Sequence, residues 1–232
     1  MSTNHSEYSN DKMRATIVPD ELYQRALQLH LLNTEGLVMG QGNLHPKFMM
    51  IGEAPGETEV HAKRPFSGKA GVELNKSLAI LGVSRDDIYL TSTLRSRPYK
   101  EVLKHSKRTG EDYLKKDNRP PTKKEMIAQS FLLDYEMLHV DTDLIVTIGS
   151  TSLHRVYDFH AQIGQLHGQF LTKQSVQIWS PEQQKFVPSA KKFTIFPTFH
   201  PAAVFYNRKL TAAMHDDLLK LRDYLQKEVI DS

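Results

Sequence analysis

Two carboxylates, a histidine and a loop aromatic are the side chains of this sequence best suited to chemistry on a ligand. Glu53 stands in Gly52-Glu53-Ala54-Pro55-Gly56, and Glu59 follows six residues later. Either can hold or deprotonate a water if burial tunes it; otherwise both are solvated turn acids. Glycines at such a turn let backbone approach a ligand, and exposed N–H groups bind anions. Phe66 lies in Arg64-Pro65-Phe66-Ser67-Gly68-Lys69-Ala70-Gly71. A loop aromatic among small residues offers a stacking face for a base, or plugs the core beneath the next helix. Thr91-Ser92-Thr93 leads into Arg95 and Arg97, hydroxyls suited to base edges and guanidiniums suited to phosphate. His200, in Thr198-Phe199-His200-Pro201-Ala202-Ala203, can donate to a developing anion or make a structural hydrogen bond. Val204, Phe205 and Tyr206 follow, bulky enough to wedge into a duplex or to pack on the last helix.

Continuous apolar runs alternating with helical patterns must position these residues. Lys47–Ile51, Ile88–Thr93, Leu144–Ile148 and Phe193–Phe196 read as buried strands. Gly68–Leu81 has apolar residues at helical spacing. Thr122 with Glu125 predicts a capping box and a helix to about Leu138. Ser150 caps a further helix, and Leu210–Ile230 is amphipathic, with Leu218, Leu221 and Leu225 on one side. Gln174–Trp179 and Lys185–Val187 flank a Ser-Pro turn and predict a surface hairpin. This order predicts an α/β fold with a parallel sheet covered on both faces. Its strand ends, Gly52–Gly56, Ser92–Pro98, Gly149–Thr151 and Thr198–Ala203, should converge on one site.

Composition narrows the function. The chain has 232 residues, 39% apolar and 25% charged, and no cysteine. Disulfides, cysteine-ligated metals and a thiol nucleophile are excluded. The first fifteen residues are polar, and no run nears the ~18 apolar residues of a spanning helix. The formal charge is +3, yet residues 95–124 carry eleven Lys/Arg against four acids, +7, which leaves −4 for the rest. A basic segment on a weakly acidic body suggests a polyanion contact, or else a self-repelling mobile loop.

Taken together, these segments resemble the uracil-DNA glycosylase superfamily, most closely its family-four branch of iron–sulfur enzymes. The resemblance rests on Gly52-Glu53-Ala54-Pro55-Gly56 with Glu59, Pro65-Phe66-Ser67-Gly68-Lys69-Ala70-Gly71, Tyr89-Leu90-Thr91-Ser92, Arg97-Pro98, Asn118-Arg119-Pro120, Ile145-Val146-Thr147-Ile148-Gly149 and His200-Pro201. It implies a three-layer α/β/α sandwich with a four-stranded, mostly parallel sheet, one domain over residues 19–232 behind a disordered tail at 1–18. Phe66 would stack on a flipped base and His200 would stabilise the departing base. Glu53 and Glu59 would stand near the attacking water. Gly52, Ala54, Pro55, Gly56 and Ser92 would line the base pocket. Arg95, Arg97, Lys104, Lys107, Arg108, Arg119 and Arg208 are the expected DNA contacts.

The sequence departs from the family at four points. The four cluster cysteines are missing, and Ser96 and Ser130 occupy two of their positions. Ser92 replaces the usual asparagine, which implies weaker or broader base choice because serine offers one rotor to the base edge. Val60, not aspartate, follows Glu59. Nineteen residues, Tyr99–Asp117, are inserted and hold most of the basic patch. His105 in that insertion stands where a covalent DNA-crosslinking relative carries a nucleophilic histidine. A DNA-gripping or disordered loop is the expectation here.

The expected activity is a monofunctional glycosylase that hydrolyses the N-glycosidic bond of uracil, or a related deaminated base, and starts base-excision repair. It would need no metal or redox cofactor. It would act as a monomer, in the cytoplasm and at the nucleoid, on DNA carrying the damaged base, with no membrane contact. The competing readings are a catalytically weak protein that binds damaged or single-stranded DNA, and an enzyme acting on a free nucleoside or nucleotide.

Overall fold

Two short, mostly apolar runs form the centre of the sheet. The computed structural model describes residues 16–205 and 207–230. In chain order it holds α1 (Asp20–Leu27), β1 (Thr34–Glu35), β2 (Gln41–Gly42), β3 (Met49–Gly52), α2 (Glu57–Ala62), α3 (Lys69–Leu81), β4 (Tyr89–Ser92), β5 (Arg97–His105), β6 (Asp112–Asn118), α4 (Lys123–Ala128), α5 (Ser130–His139), β7 (Leu144–Ile148), α6 (Ser150–Val156), α7 (Ile163–Leu166), β8 (Leu171–Ser180), β9 (Lys185–Thr198) and α8 (Leu210–Ile230), with 3₁₀ turns at Arg85–Asp87 and Pro201–Phe205. Every residue of β3 and β7 is buried.

The main sheet runs β2-β4-β3-β7-β9-β8. Its four central strands are parallel, as the apolar runs predict, but it has six strands rather than four. The added edges, β2 and β8, pair antiparallel. Alternation along the strands sorts the core into two clusters. Met50, Leu90, Val146 and Phe196 pack with Leu74 and Leu78 of α3 and with Leu218, Leu221 and Leu225 of α8. Met49, Ile51, Tyr89, Ile145 and Ile195 pack with Leu133 and Met137 of α5 and Val156 of α6. The register places Gly52 beside Ser92 and Ile148 beside Thr198, so the four strand ends converge.

Other expectations change. The inserted segment is neither loop nor coil: β5 and β6 form a hairpin, and β1 joins it in a second, three-stranded sheet. Charged residues on both its faces hide the alternation that marks a strand, although Gly110, at φ +73°, supplies the turn. The hairpin expected near Trp179 exists, but its second strand continues into the core strand as the fourteen-residue β9, with a register shift between Pro188 and Lys192 joining the two parts. The helix after Thr122 does start with the capping box, then breaks at Gln129 into α4 and α5. Gln129 leaves helical backbone geometry and spends its amide on the Arg95 N–H and the Ser96 hydroxyl. Val18 is buried against Ala26 and Met39, so the packed chain begins before residue 19. Residues 1–15 of the expected tail, and the side chains of the expected wedge at Val204, Phe205 and Tyr206, lie outside the described residues.

Candidate active site

A cavity of about 780 Å³ opens at the converging strand ends. Glu53, Ala54, Pro55, Gly56, Glu59, Phe66, Ser92, Arg97, Arg119 and His200 line it, together with Asn118 and the base of the β5–β6 hairpin. Gly52 does not line it. A Cβ at Gly52 would sit 2.6 Å from the Phe66 Cζ atom, so the missing side chain is what lets the Phe66 ring lie across the end of β3. The ring is half-buried against the α3–α8 cluster and also faces the cavity, which joins the two uses the sequence leaves open.

The Phe66 loop is held under tension. Phe66 has φ +52°, the left-handed region that non-glycine residues rarely enter. Arg85 holds it there: its guanidinium donates to the Pro65 carbonyl at 3.1 Å and to the Phe66 carbonyl at 2.5 Å, while Nε donates to Asn75. Any side chain at Gly71 would overlap the Phe66 carbonyl. Arg85 is a positioning residue that the sequence does not single out, because it lies nineteen positions from the loop it clamps.

The two carboxylates have different jobs. Both Glu59 oxygens are committed to backbone, accepting from Gly56 N–H at 3.1 Å and Gly68 N–H at 2.8 Å. Glu59 therefore staples the Gly52–Gly56 turn to the Phe66 loop while still lining the cavity. Glu53 accepts one hydrogen bond from the Thr151 hydroxyl, at Oε2. Its carbonyl is fixed by Thr93 and Leu94. Thr151, in the first turn of α6, lies in the Gly149–Thr151 segment expected at the site, but its bond to Glu53 had no sequence signal.

His200 stands at the end of β9. Ala202 N–H donates to its Nδ1 at 3.1 Å. A neutral ring whose Nδ1 accepts carries its proton on Nε2, so Nε2–H is the ring's donor. Burial pushes the imidazole below its ordinary value of 6.5, against the opposing pull of Glu53 and Glu59. A neutral imidazole donor in a cavity is suited to a forming anion.

The polar wall behind the cavity overturns three expected DNA contacts. Arg95 is 1% exposed and paired with Glu136, which also accepts from the hydroxyls of Tyr89 and Thr91. Arg97 is buried and donates to Glu35, Glu57, Asn118 and the Lys116 carbonyl, tying the hairpin to the body. Arg119 makes two bonds to Glu125 and is spent there. None of the three guanidiniums is free for phosphate. Lys104 is half-buried beside Asp117, whereas Lys107, Arg108 and Arg208 are exposed. Those four do not line the cavity. His105 pairs with exposed Asp112 on the hairpin, also away from it.

Ser92 turns its hydroxyl away from the base-edge role its position suggests. It donates to the Leu94 carbonyl at 2.8 Å and accepts a long bond from Arg95. The expected cluster side of the domain is filled instead by hydrogen bonds. Ser96 accepts from Gln129, Ser130 is buried, and no cysteine exists to hold iron. A 4Fe–4S cluster does not fit this donor set. Among the described residues no group of three or more His, Asp or Glu side chains is placed to hold a metal ion, and no helix is long and apolar enough to cross a membrane.

Comparison with known proteins agrees with this geometry. The profile of the uracil DNA glycosylase superfamily matches residues 39–226. The chain is 31% identical to the type-4 uracil-DNA glycosylase of Saccharolobus solfataricus over 83% of its length and 78% of the relative's. It is 30% identical to the type-4 enzyme of Thermotoga maritima, over 88% and 90% of the two chains. It is 29% identical to that of Sulfurisphaera tokodaii, over 80% and 73%.

Proposed function

The chain belongs to the uracil-DNA glycosylase superfamily, and on that basis we propose that it hydrolyses the N-glycosidic bond of uracil, or of a related deaminated base, in DNA. The observation that carries this reading is the cavity that brings Glu53, Phe66 and the Nε2–H of His200 together. The glycosidic bond is inaccessible in a stacked strand, so the nucleotide must leave the stack. Phe66 holds the base. As the bond breaks, the base leaves as an anion and its oxygen takes a hydrogen bond from His200. Glu53, held through Oε2 by Thr151, keeps Oε1 for the water and takes its proton as the oxygen attacks C1′. The products are the free base and an abasic site.

The two core clusters, one with α3 and α8 and one with α5 and α6, support the finer reading of a three-layer α/β/α sandwich. Action in the cytoplasm, at the nucleoid, belongs to the same proposal, because the substrate in this reading is DNA. A second reading, recognition without release, has one observation behind it: the Ser92 hydroxyl is occupied by Leu94.

A base-release assay separates them. End-labelled oligonucleotides carrying uracil, hypoxanthine or xanthine, single-stranded and mispaired, are incubated with the protein, then cleaved with alkali at abasic sites. Release of uracil that falls by about 10²–10³ in His200→Ala supports the glycosylase, the size expected when one donor to a developing anion is removed. Glu53→Gln should also be deficient. Release of another base alone keeps the mechanism and moves the substrate. Folded protein that binds the oligonucleotide and releases nothing establishes the second reading.

A further inference from the structure

The inserted hairpin has no counterpart in the motif pattern that defines the family resemblance, yet it reaches the cavity. Lys100, Lys115, Lys116 and Asp117 line it. Cross-strand pairing sets Lys100 opposite Asp117, Val102 opposite Lys115 and Lys104 opposite Tyr113. Side chains two apart share a face, so these six stand together. Lys104 and Lys115 both lean on Asp117, at 3.1 and 3.5 Å. Three ammonium groups against one carboxylate leave this face positive. Tyr113 is 48% exposed among them.

The opposite face differs. Lys116 is held by Glu35 at 2.6 Å and lies over the Tyr99 ring, and Arg97 is buried in its hydrogen bonds. Its exposed part is the Leu103–Leu114 pair with Glu101, His105, Asp112 and Lys116, where two carboxylates stand against one lysine. The Lys100–Lys104–Lys115 face instead combines an excess of cations with the exposed Tyr113 ring. Its three cross-strand pairs, from Lys100 to Lys104, span about 14 Å at about 3.4 Å per residue.

We propose that this face holds the unpaired DNA strand that flanks the extruded nucleotide, so that the chain favours a single-stranded or locally opened substrate. The lysines take phosphates and Tyr113 stacks on a neighbouring base. Stacking on an aromatic requires a base whose face is free, which a closed duplex does not offer. The placement of the extruded nucleotide rests on the base-excision reading above.

The test uses the full chain and a labelled oligonucleotide with one uracil, single-stranded or annealed. Affinity is followed by fluorescence anisotropy from about 50 to 200 mM salt, a range over which phosphate contacts weaken strongly. The triple variant Lys100→Gln, Lys104→Gln, Lys115→Gln should lower the single-strand salt slope by about 2, at roughly 0.7 for each phosphate no longer neutralised. It should also bind the single strand at least tenfold more weakly at the low-salt end. Tyr113→Ala should lose about tenfold with the slope unchanged, and Tyr113→Phe should bind like the parent. Lys185→Gln, in β9, is the charge control and should change neither. Thermal melts check folding.

An unchanged slope in the triple variant overturns the proposal, as does full single-strand affinity in Tyr113→Ala. Uracil release is read in the same samples. Release by the parent with no slope change in the variant sinks the hairpin face and leaves the base-excision reading standing. A slope that falls in the variant while the parent releases no base supports the face and sinks that reading.

Discussion

Arg95 and Lys107 belong to one basic segment, twelve residues apart, and their surroundings are opposite. Arg95 is sealed under the cavity with Glu136, and Lys107 is exposed in the hairpin turn. The same split separates Arg97 and Arg119, both bound to carboxylates, from Lys100 and Lys104 on the hairpin face. A guanidinium presents five donors in a rigid fork and is weakly hydrated, so it suits a buried site with several acceptors; an ammonium is strongly hydrated and favours the surface. The net charge of this segment therefore overstates what a polyanion can meet. Its strand-end arginines build the wall of the cavity, and its hairpin lysines supply the outward charge.

That division is open to attack at each end. The largest effect should come from Arg95→Ala, which leaves Glu136 buried and unpaired; breaking such a pair costs about 3–5 kcal/mol. Denaturant unfolding should show the loss, while DNA affinity per folded molecule stays at the parent value. A stable variant with weakened DNA binding would move Arg95 to the DNA side of the comparison. Between the two regions lies Phe66. Phe66→Ala should cost about 1–3 kcal/mol of base stacking, read as a drop in affinity for an oligonucleotide carrying uracil relative to one without. Equal affinity for both would return the ring to a purely structural use.

At the hairpin tip, Lys107→Gln with Arg108→Gln should leave the unfolding midpoint unchanged. It should weaken binding to all sequences alike and reduce the salt slope by about 0.7 for each single-strand phosphate that goes unneutralised. Sequence-dependent weakening would contradict a phosphate role for the tip. The smallest effect is a pH dependence at His200. Burial holds its pKa below 6.5, so between that lowered value and 6.5 the unfolded chain binds a proton that the folded chain does not. Stability should rise with pH through this window, and its His200 share should be lost as pH falls below about 6.5. His200→Gln removes that share. Unfolding midpoints across the window should therefore draw parent and variant together as pH falls, and parallel curves would show that His200 is not buried neutral.

Much of the frame was readable from residue order. Met49–Gly52 and, but for Thr147, Leu144–Ile148 are apolar because a central parallel strand is covered on both faces, and that pattern needs no partner to be recognised. The capping box at Thr122 was readable for the same reason, being local. The hairpin was not, since charges on both faces erase the period that would mark β5 and β6. Nor was the fate of Glu59, whose oxygens are taken by Gly56, three residues away, and by Gly68, nine away across a loop.

Residue order alone is enough to say which core segments become strands, which turns end them, and that Glu53 and His200 meet where the strands end. Those features follow from local pattern and from the topology of parallel strands; the place of Phe66 beside them was implied by the family resemblance. Which charges are buried, and with whom, is settled only once the chain is folded. Glu136 meets Arg95 across 41 positions and Glu35 meets Arg97 across 62. The partner of a buried charge is set by packing between distant elements, and a linear sequence carries no local signal of it.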